Sequence, residues 1–486
     1  MYRCVSIDQM KLFDQKTIEK VGSTNLMAKA AQAVYDEIKD KSKKIYIISG
    51  GGNNGGDGIA LLELFLKDGY EPHLYLTSKK LSQDSQFFFD KVSSYKNIFD
   101  ISQCDYDADI IIDCILGTGF VGDVKDNIKE VINKINNSRA YVLSVDIPSG
   151  LNGQSGKAIT AIKANKTIAI QFAKYGHFLV DGKDYTGKVV VKDIGIEAIE
   201  DTALIVEDKD IEFKCRLNNS NKGTYGKSTI IGGCQNYVGA IKIANMGLSA
   251  LRVGSGLNVL AIPHSLKDAI SPSVMESTMM FLDEENGYLK FDKEKLDNII
   301  NTSTSIAVGM GMGPNKVENK KIIKYLIENT TSPILIDADG LNAFEGEIDY
   351  LLSFENVIIT PHPKELSRLT GSDISEILND SMSFVDNLMK DKKGTLLLKG
   401  TSTIIANKKE KYLVVNGTPA LAKGGSGDTL SGVILGLLAQ GYENIKSAYY
   451  GAYLCAKAAS ILEKDYSQLG VLASDVAKEI TKLVKV

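Results

Sequence analysis

The stretch "KKIYIISGGGNNGGDG", residues 43–58, runs from an apolar segment into ten residues that comprise one serine, six glycines, two asparagines and one aspartate. The run at 45–49 has the length and composition of a buried strand, and "GIALLELFLKDGY" behind the tract is an apolar helix. A segment with so little side-chain bulk builds no core; it frees the backbone to turn sharply and approach another group. Gly50, Gly52 and Gly55 satisfy G-x-G-x-x-G in the strand–turn–helix setting a dinucleotide fingerprint requires, where helix N-terminal amides point at an anion. A merely tight strand–helix turn is the competing reading. Two features separate the stretch from a standard dehydrogenase. Lys79 and Lys80 follow the next strand, "HLYLT", where a ribose-binding acid would stand. Asn53, Asn54 and Asp57 put polar side chains inside the turn, able to ligate a cation or bond a substrate.

Upstream, "MKLFDQKTIEKVGSTNLMAKAAQAVYDEI" has the spacing of two short helices broken at Gly-Ser-Thr. Downstream, strands at "HLYLT", "DADIIIDCI" and "AYVLSVDI" alternate with helices at "QFFFDKVSSY" and "NIKEVINKINNS". Such alternation predicts right-handed βαβ units and a largely parallel sheet covered on both faces. The pattern pauses in the charged and Asn-rich segment near 200–220, then resumes with "KSTIIGG", "GSGLNVLAI", "TSIAVGMGMGP", "SPILIDADGL", "NVIITPHP", "TLLLKG", "TSTIIAN" and "KYLVVNG". Two tandem three-layer α/β domains follow, 1–210 and 211–486.

Composition narrows the function. With 44% hydrophobic and 24% charged residues, the chain reads as a globular protein, and its net charge of −4 lacks the basic footprint of a nucleic-acid binder. No window approaches the roughly 18 apolar residues of a membrane span, and the start lacks a signal peptide's apolar core, so a cytoplasmic protein is expected. Six dispersed cysteines and four histidines make structural zinc and a disulfide scaffold improbable and leave buried thiols as the plain reading.

Two further strand ends of the first domain supply polar groups: "DCILGTGFVGD" with Asp113 and the Gly117–Asp123 loop, and "VDIPSG" with Asp146 and Ser149. In an open parallel sheet these loops converge on one crevice with the glycine tract. A turn or helix cap is the bland reading of Asp146. Together "GGGNNGGDG", "DCILGTGF" and "VDIPSG" resemble the NAD(P)HX epimerase family, which implies a Rossmann-like domain. The resemblance implies recognition of hydrated nicotinamide nucleotide by Asn53, Asn54, Gly55, Gly56 and Asp57. It assigns the same role to Gly117, Thr118, Gly119, Phe120, Val121, Gly122 and Asp123, and to Asp146. It also implies a potassium ion near Asn54, Asp113 and Ser149, an oxygen set suited to a hard cation. The chain departs from the family in "LMAKAA", where Ala28-Lys29 replaces a Leu-Met-Glu pattern.

In the second domain "GTYGKST", residues 223–229, ends like a P-loop, but Asn221 stands where the first glycine belongs and a strand follows, so a Walker A loop is rejected. The stronger signal is "NGTPALAKGGSGDTLSGVILGLLAQG", residues 416–441. Gly424, Gly425 and Gly427 precede Asp428 and an apolar helix, so backbone amides can hold a transferring phosphate beside a candidate base. A capping aspartate is the alternative. This stretch, with "DADGLNAF" (Asp337, Asp339), "TPHPKEL" (His362, Glu365) and "LLKGTSTII", resembles the ribokinase-like superfamily. The His-Pro form at 362–363 resembles the ADP-dependent NAD(P)HX dehydratases. That resemblance implies nucleotide contacts at Lys399, Gly400, Thr401, Ser402, Thr403 and Gly427. It implies substrate contacts at Ala240, Gly311, Gly313, His362 and Asp428, with Asp337 and Asp339 behind them.

The combined expectation is metabolite repair of hydrated NADH and NADPH. The first domain would epimerise R- and S-NAD(P)HX, with Asp146 or Asp57 handling a proton. The second would dehydrate the S epimer, with ADP as co-substrate, magnesium, and Asp428 as base. NADHX, NADPHX and ADP would be the partners, and the resemblance also suggests a homo-oligomer. The alternative is a vitamin- or sugar-type small-molecule kinase carrying an N-terminal ligand-binding scaffold module.

Overall fold

The computed structural model describes residues 1–246 and 252–485. The chain divides into two compact units, Tyr2–Ala203 and Leu204–Val486 with Met1, close to the expected boundary. Among the described residues no helix is long and apolar enough to cross a membrane.

The first unit begins with β1 (Tyr2–Val5) and two 15-residue helices, α1 (Ile7–Val21) and α2 (Ser23–Glu37). Ser6 and Gln9 close a capping box at the start of α1, and Gly22, at φ +83°, separates the pair. There follow β2 (Ile45–Ser49), α3 (Asn53–Lys67), β3 (His73–Leu76), α4 (Gln83–Val92) and β4 (Ile98–Asp100). Next come β5 (Ile110–Cys114), α5 (Asp126–Asn137), β6 (Tyr141–Val145), β7 (Lys166–Ile170), β8 (Ala173–Lys174) and β9 (Lys188–Lys192). Seven strands form one parallel sheet in the order β4-β3-β2-β5-β6-β7-β9, and β1 pairs separately with β8.

Period-two alternation divides the side chains of the sheet between two cores. Ile47, Ile112 and Leu143 pack with Met27, Leu61 and Phe65, whereas Tyr46, Ile48, Ile111 and Val142 pack with Val131, Ile132 and Ile135 of α5. The three layers expected from the sequence are present. Strands β1, β4, β7, β8 and β9 add to those it indicated; β7 opens with Lys166, and β9 has lysine at both ends.

In the second unit the strands are β10 (Ala203–Ile205), β11 (Lys227–Ile231), β12 (Leu257–Pro263), β13 (Thr278–Leu282), a hairpin of β14 (Glu284–Glu285) and β15 (Tyr288–Leu289), and β16 (Ser305–Val308). They continue with β17 (Ile334–Ile336), β18 (Val357–Ile359), β19 (Thr395–Leu398), β20 (Thr403–Ala406) and β21 (Lys411–Val414). The order is β13-β12-β11-β16-β17-β18-β19-β20-β21-β10, parallel from β13 to β19 and antiparallel across β19-β20-β21. The antiparallel turn follows from length: four residues between β19 and β20 close a hairpin but cannot make a crossover. Helices Ser426–Ala439 and Asn444–Gly470 lie in one core with Ile230, Ala307, Leu335, Ile358 and Leu397 of the sheet. Every residue from Thr429 to Ala439 is buried, which fixes the glycine turn before it against the sheet.

Four of the six cysteines are buried thiols, as expected; Cys104 is half-buried and Cys215 exposed.

Candidate active sites

In the first unit the chain steps outward from β2 to β3 and β4, then returns to place β5 on the other side of β2. Loops leaving β2 and β5 therefore part in opposite directions, and the switch point between them opens a crevice. The glycine tract shapes its floor. Gly50 N–H donates to the Cys114 carbonyl at 3.0 Å, and a Cβ on Gly50 would stand 1.9 Å from the Ile115 carbonyl oxygen. A Cβ on Gly55 would stand 2.0 Å from the Gly50 carbonyl oxygen. A cavity of about 610 Å³ lies here, within the usual range for a small-molecule site. Asn53, Asn54, Asp57, Gly117, Thr118, Gly119, Phe120 and Asp146 line it. Gly55 and Gly56 are buried in the first turns of α3, while Val121 is 80% exposed and, with Gly122 and Asp123, lies outside the cavity wall. Ala28 and Lys29 are exposed on α2, whose Leu26, Met27 and Ala30 face the cavity.

Asp146 is held in an unusual pose. Its φ is +63°, a region that aspartate tolerates better than most residues. Its Oδ1 accepts from Ile170 N–H at 3.0 Å and pairs with Lys174, whose side chain is fully buried. His177 Nδ1 accepts from Lys174 N–H at 3.1 Å, so its Nε2–H donates to the Asp146 carbonyl at 2.8 Å. Burial and then Lys174 lower the His177 imidazole to about 4, which keeps it neutral. Lys174 is the buried cation among three carboxylates: Asp146, Asp57 of α3 and Asp14 of α1. Burial raises Asp57 well above the carboxylate range, with Asp146 and Asp14 adding to it. Burial also raises Asp14 to about 6, opposed by Lys174 and assisted by Asp146.

Asn54, Asp113 and Ser149 come together below this cavity. Asn54 Nδ2 donates to the Leu116 carbonyl at 3.0 Å, while its Oδ1 is buried with no hydrogen-bond partner. Ser149 Oγ accepts from Leu116 N–H at 2.8 Å and donates to Asp113 Oδ1. Asp113 also accepts from Ser149 N–H at 2.9 Å, Ser144 Oγ at 2.8 Å and Ile115 N–H at 3.2 Å. Those bonds occupy the carboxylate's acceptor capacity and knit β5 to the loop after β6. No group of three or more His, Cys, Asp or Glu suited to a metal occurs among the described residues.

In the second unit, Ser426–Ala439 begins after Gly425, which at φ +90° needs glycine. The first-turn amides of such a helix have no intrahelical acceptor and face outward. Asp428 does not cap this helix. Burial raises its carboxyl to about 7, helped by Asp337 and Asp339 and opposed by Lys399. Lys399, at the end of β19, donates to Asp337 Oδ1 at 2.9 Å and lies 3.9 Å from Glu365; Ser431 Oγ donates to Asp337 Oδ2 at 2.9 Å. A Cβ on Gly427 would stand 3.5 Å from both Asp337 Oδ2 and Lys399 Nζ, so the glycine turn and the 399–403 hairpin meet. Gly311 and Gly313 carry φ of +67° and +80°, and a Cβ on Gly311 would meet Ala240 Cβ at 3.0 Å. Their glycines answer first to backbone shape and close packing, and they bring Ala240 and Gly311 side by side. Gly313 N–H donates to Asp339 Oδ2 at 2.8 Å. His362 is the N-cap of helix Pro363–Thr370: its Nδ1 accepts from Lys364 and Glu365 N–H, both at 3.2 Å, and its own N–H donates to Glu365 Oε2 at 2.9 Å.

Asp14, Lys174, His177 and the Asp337–Lys399 ion pair go beyond the catalytic set read from the sequence. Asp14 carries a usable signal, since it stands four residues after Met10 and seven after Ile7, on the buried stripe of α1. Lys174 carries another, a cation inside the apolar run "IQFAKYGHF".

Fold and sites define a two-domain α/β enzyme in which each unit builds a glycine-shaped backbone surface beside carboxylates of raised pKa. A family model described as NAD(P)H-hydrate dehydratase matches residues 228–482, and one described as YjeF-related protein N-terminus matches residues 23–176. The chain is 30% identical over 479 residues to the bifunctional NAD(P)H-hydrate repair enzyme Nnr of Dictyoglomus turgidum, covering 93% of this chain and 92% of that one. It is 28% identical to the protein of the same name from Coxiella burnetii, covering 98% of each. Among solved structures, a ribokinase-like superfamily protein from Enterococcus faecalis V583 aligns with a TM-score of 0.51 at 22% identity, over 58% of this chain and 95% of that one, and shows the fold of the second unit. The chain belongs to the bifunctional NAD(P)H-hydrate repair enzymes.

Proposed function

We propose that the first unit epimerises the R and S hydrates of NADH and NADPH at C6 and that the second dehydrates the S hydrate with ADP. The observation that carries this reading is the match of both family models within one chain, each on a unit with its own cluster of carboxylates of raised pKa beside a glycine turn. The two activities are assigned to functional domains 1–210 and 211–486, beside compact units that divide at Ala203–Leu204.

In the second unit Asp428, with a carboxyl near 7, accepts the C6 hydroxyl proton as that oxygen takes a phosphoryl group from the nucleotide. Phosphate then leaves where hydroxide would not, and the ring nitrogen's electron pair drives its departure. Amides of Gly425 and Gly427 hold the transferring charge, with Lys399–Thr403 along the nucleotide. Ala240, Gly311, Gly313 and His362 face the substrate. Magnesium, which would neutralise phosphate charge when bound, would take its oxygen ligands from the nucleotide's phosphates and at most one or two carboxylates. Burial disfavours ionised Asp337, yet Lys399 and Ser431 hold it below the usual carboxylate range, so it stays charged.

In the first unit Asn53–Asp57 and Gly117–Phe120 hold the nucleotide, and Asp146 or Asp57 moves a proton at C6. The potassium set fits through Asn54, whose buried Oδ1 has no hydrogen-bond partner, with Ser149 beside it and Asp113 behind, its carboxyl raised by burial against the hydrogen bonds it accepts. The ion would order the loop that carries the phosphate-binding amides.

Mixing the purified chain with both NADHX epimers, potassium, magnesium and either ADP or ATP, while following NADH absorbance, tests the reading. Complete recovery with ADP supports both activities once spontaneous epimerisation is subtracted. A stall at the S fraction removes the epimerase and leaves the first unit a binding module. No recovery with either nucleotide, together with a stable phosphorylated product, favours a small-molecule kinase.

A further inference from the structure

We propose that Asp14 of α1 is the proton donor of the epimerase, acting at the C6 hydroxyl. The inference rests on the epimerase reading of this cavity and adds a residue from an element outside its three sequence motifs.

The geometry has three parts. First, Asp14 lines the same cavity as Asp57, Asp146 and Lys174, although it comes from a helix that precedes the sheet. Second, the three carboxylates are unequal. Asp146 is anchored by Lys174 and the Ile170 amide, whereas Asp14 forms no side-chain hydrogen bond among the described residues and is free to address a ligand. Third, one buried ammonium cannot balance three carboxylates, so the cavity retains a proton near neutrality. Every charged group facing Asp14 is accounted for by this wall: Lys174 and Asp146 from the strand ends, Asp57 from α3, Lys11 from α1 and Asp84 from α4. Helix α2 contributes only Ser23, Leu26, Met27 and Ala30. Asp14, raised to about 6 by burial, is still partly protonated near pH 6 to 7.

The step balances. Asp14 gives its proton to the C6 hydroxyl oxygen, the C6–O bond breaks, and water leaves. The electron pair on the ring nitrogen forms a C6–N double bond, and the positive charge so created lies among carboxylates. A water molecule then attacks the other face of C6, the new C6–O bond forms, and the surplus proton passes to Asp146, the carboxylate paired with Lys174. Transfer of that proton to Asp14 restores the starting state. No oxidant, reductant or further reactant enters.

The test compares the full chain with Asp14→Asn and Asp14→Glu, measuring R-to-S exchange without ADP by chromatography, and S-NADHX dehydration with ADP in the same preparations. Asp14→Asn is expected to lose about 100-fold or more in the kcat of exchange, with KM changed less than threefold and dehydration intact. Asp14→Glu is expected to recover at least a tenth of the exchange rate. The wild-type rate is expected to fall as pH rises through about 6 to 7, and Asp14→Asn to lack that limb. In ¹⁸O-labelled water each wild-type exchange places one solvent oxygen on C6. Exchange by Asp14→Asn within threefold of wild type, an unchanged pH limb, or exchange without ¹⁸O uptake overturns the proposal. Absence of exchange by the wild-type chain instead overturns the epimerase reading itself. Should Asp14→Asn unfold the first unit, seen as a lost thermal transition, the pH profiles of wild type and Asp14→Glu decide. A limb that moves with the Glu substitution supports the role, and one that stays put overturns it.

Discussion

Asp428 shows how one environment sets both chemistry and stability. A carboxyl raised from 3.8 to about 7 binds more protons in the folded than in the unfolded chain between those values. Folding stability from this group is therefore present at low pH and lost as pH rises through about 7. Asp428→Asn removes the ionisation, so at pH 8 the variant is expected to exceed wild type by roughly 1–3 kcal/mol in chemical denaturation, an advantage that vanishes below about pH 4. The same variant is expected to lose about 100-fold or more in dehydration, and the wild-type rate to rise with pH through about 7. A flat pH profile would remove Asp428 as the base. Lys174 poses the opposite problem. Lys174→Met leaves Asp146 partly buried without its counter-ion, which costs about 3–5 kcal/mol and should appear as a lowered unfolding midpoint of the first unit. The raised Asp14 carboxyl is not visible in spacing, because it depends on burial and on Lys174 and Asp146 more than a hundred positions away, and the Lys174–Asp146 pair itself spans 28 residues across a strand and two loops.

At the scale of elements, the turn between β2 and α3 places its glycines unequally. A Cβ at Gly50 would collide with the backbone of the loop after β5, whereas a Cβ at Gly52 would meet nothing within 4 Å. Gly50→Ala is expected to destabilise the first unit by about 3 kcal/mol, the upper end of overpacking strain, and Gly52→Ala by less than about 0.5 kcal/mol. Thermal unfolding of the two variants side by side checks this. If Gly52→Ala nonetheless lowers epimer exchange, the space above Gly52 belongs to substrate. Element positions were legible along most of the chain because apolar alternation and glycine punctuation are local signals. The runs at 45–49, 110–114 and 141–145 are strands in one sheet, and 426–439 is a buried helix. Strands β7 and β9 are not singled out although each has five residues, as β2, β5 and β6 do; Lys166 opens β7, lysines bound β9, and their pairing with each other and with β6 makes them part of the sheet.

At the scale of the molecule, two chemistries on one chain should respond to different additives. Chelation of magnesium is expected to stop dehydration while leaving epimer exchange within twofold, and replacing potassium by choline to slow exchange first. Parallel rate measurements on one preparation check both. ADP with magnesium at a hundred times its Kd should add about 2.7 kcal/mol to the stability of the second unit. No shift with ADP would leave Lys399–Thr403 without a nucleotide role.

From the sequence alone came the two α/β units, the glycine turns at 50–58 and 424–427, and the carboxylates at 146 and 428. All of these rest on short-range patterns of apolar residues, glycine and acid. Tertiary structure alone decided what those groups become. It set Asp14 and Lys174 against Asp146, left Asn54 Oδ1 without a partner, made His362 a helix cap, and paired Asp337 with Lys399. Burial and charge at a site are sums over neighbours brought together by folding, so protonation states and capping roles follow from the fold, while the elements that carry them follow from local chain chemistry.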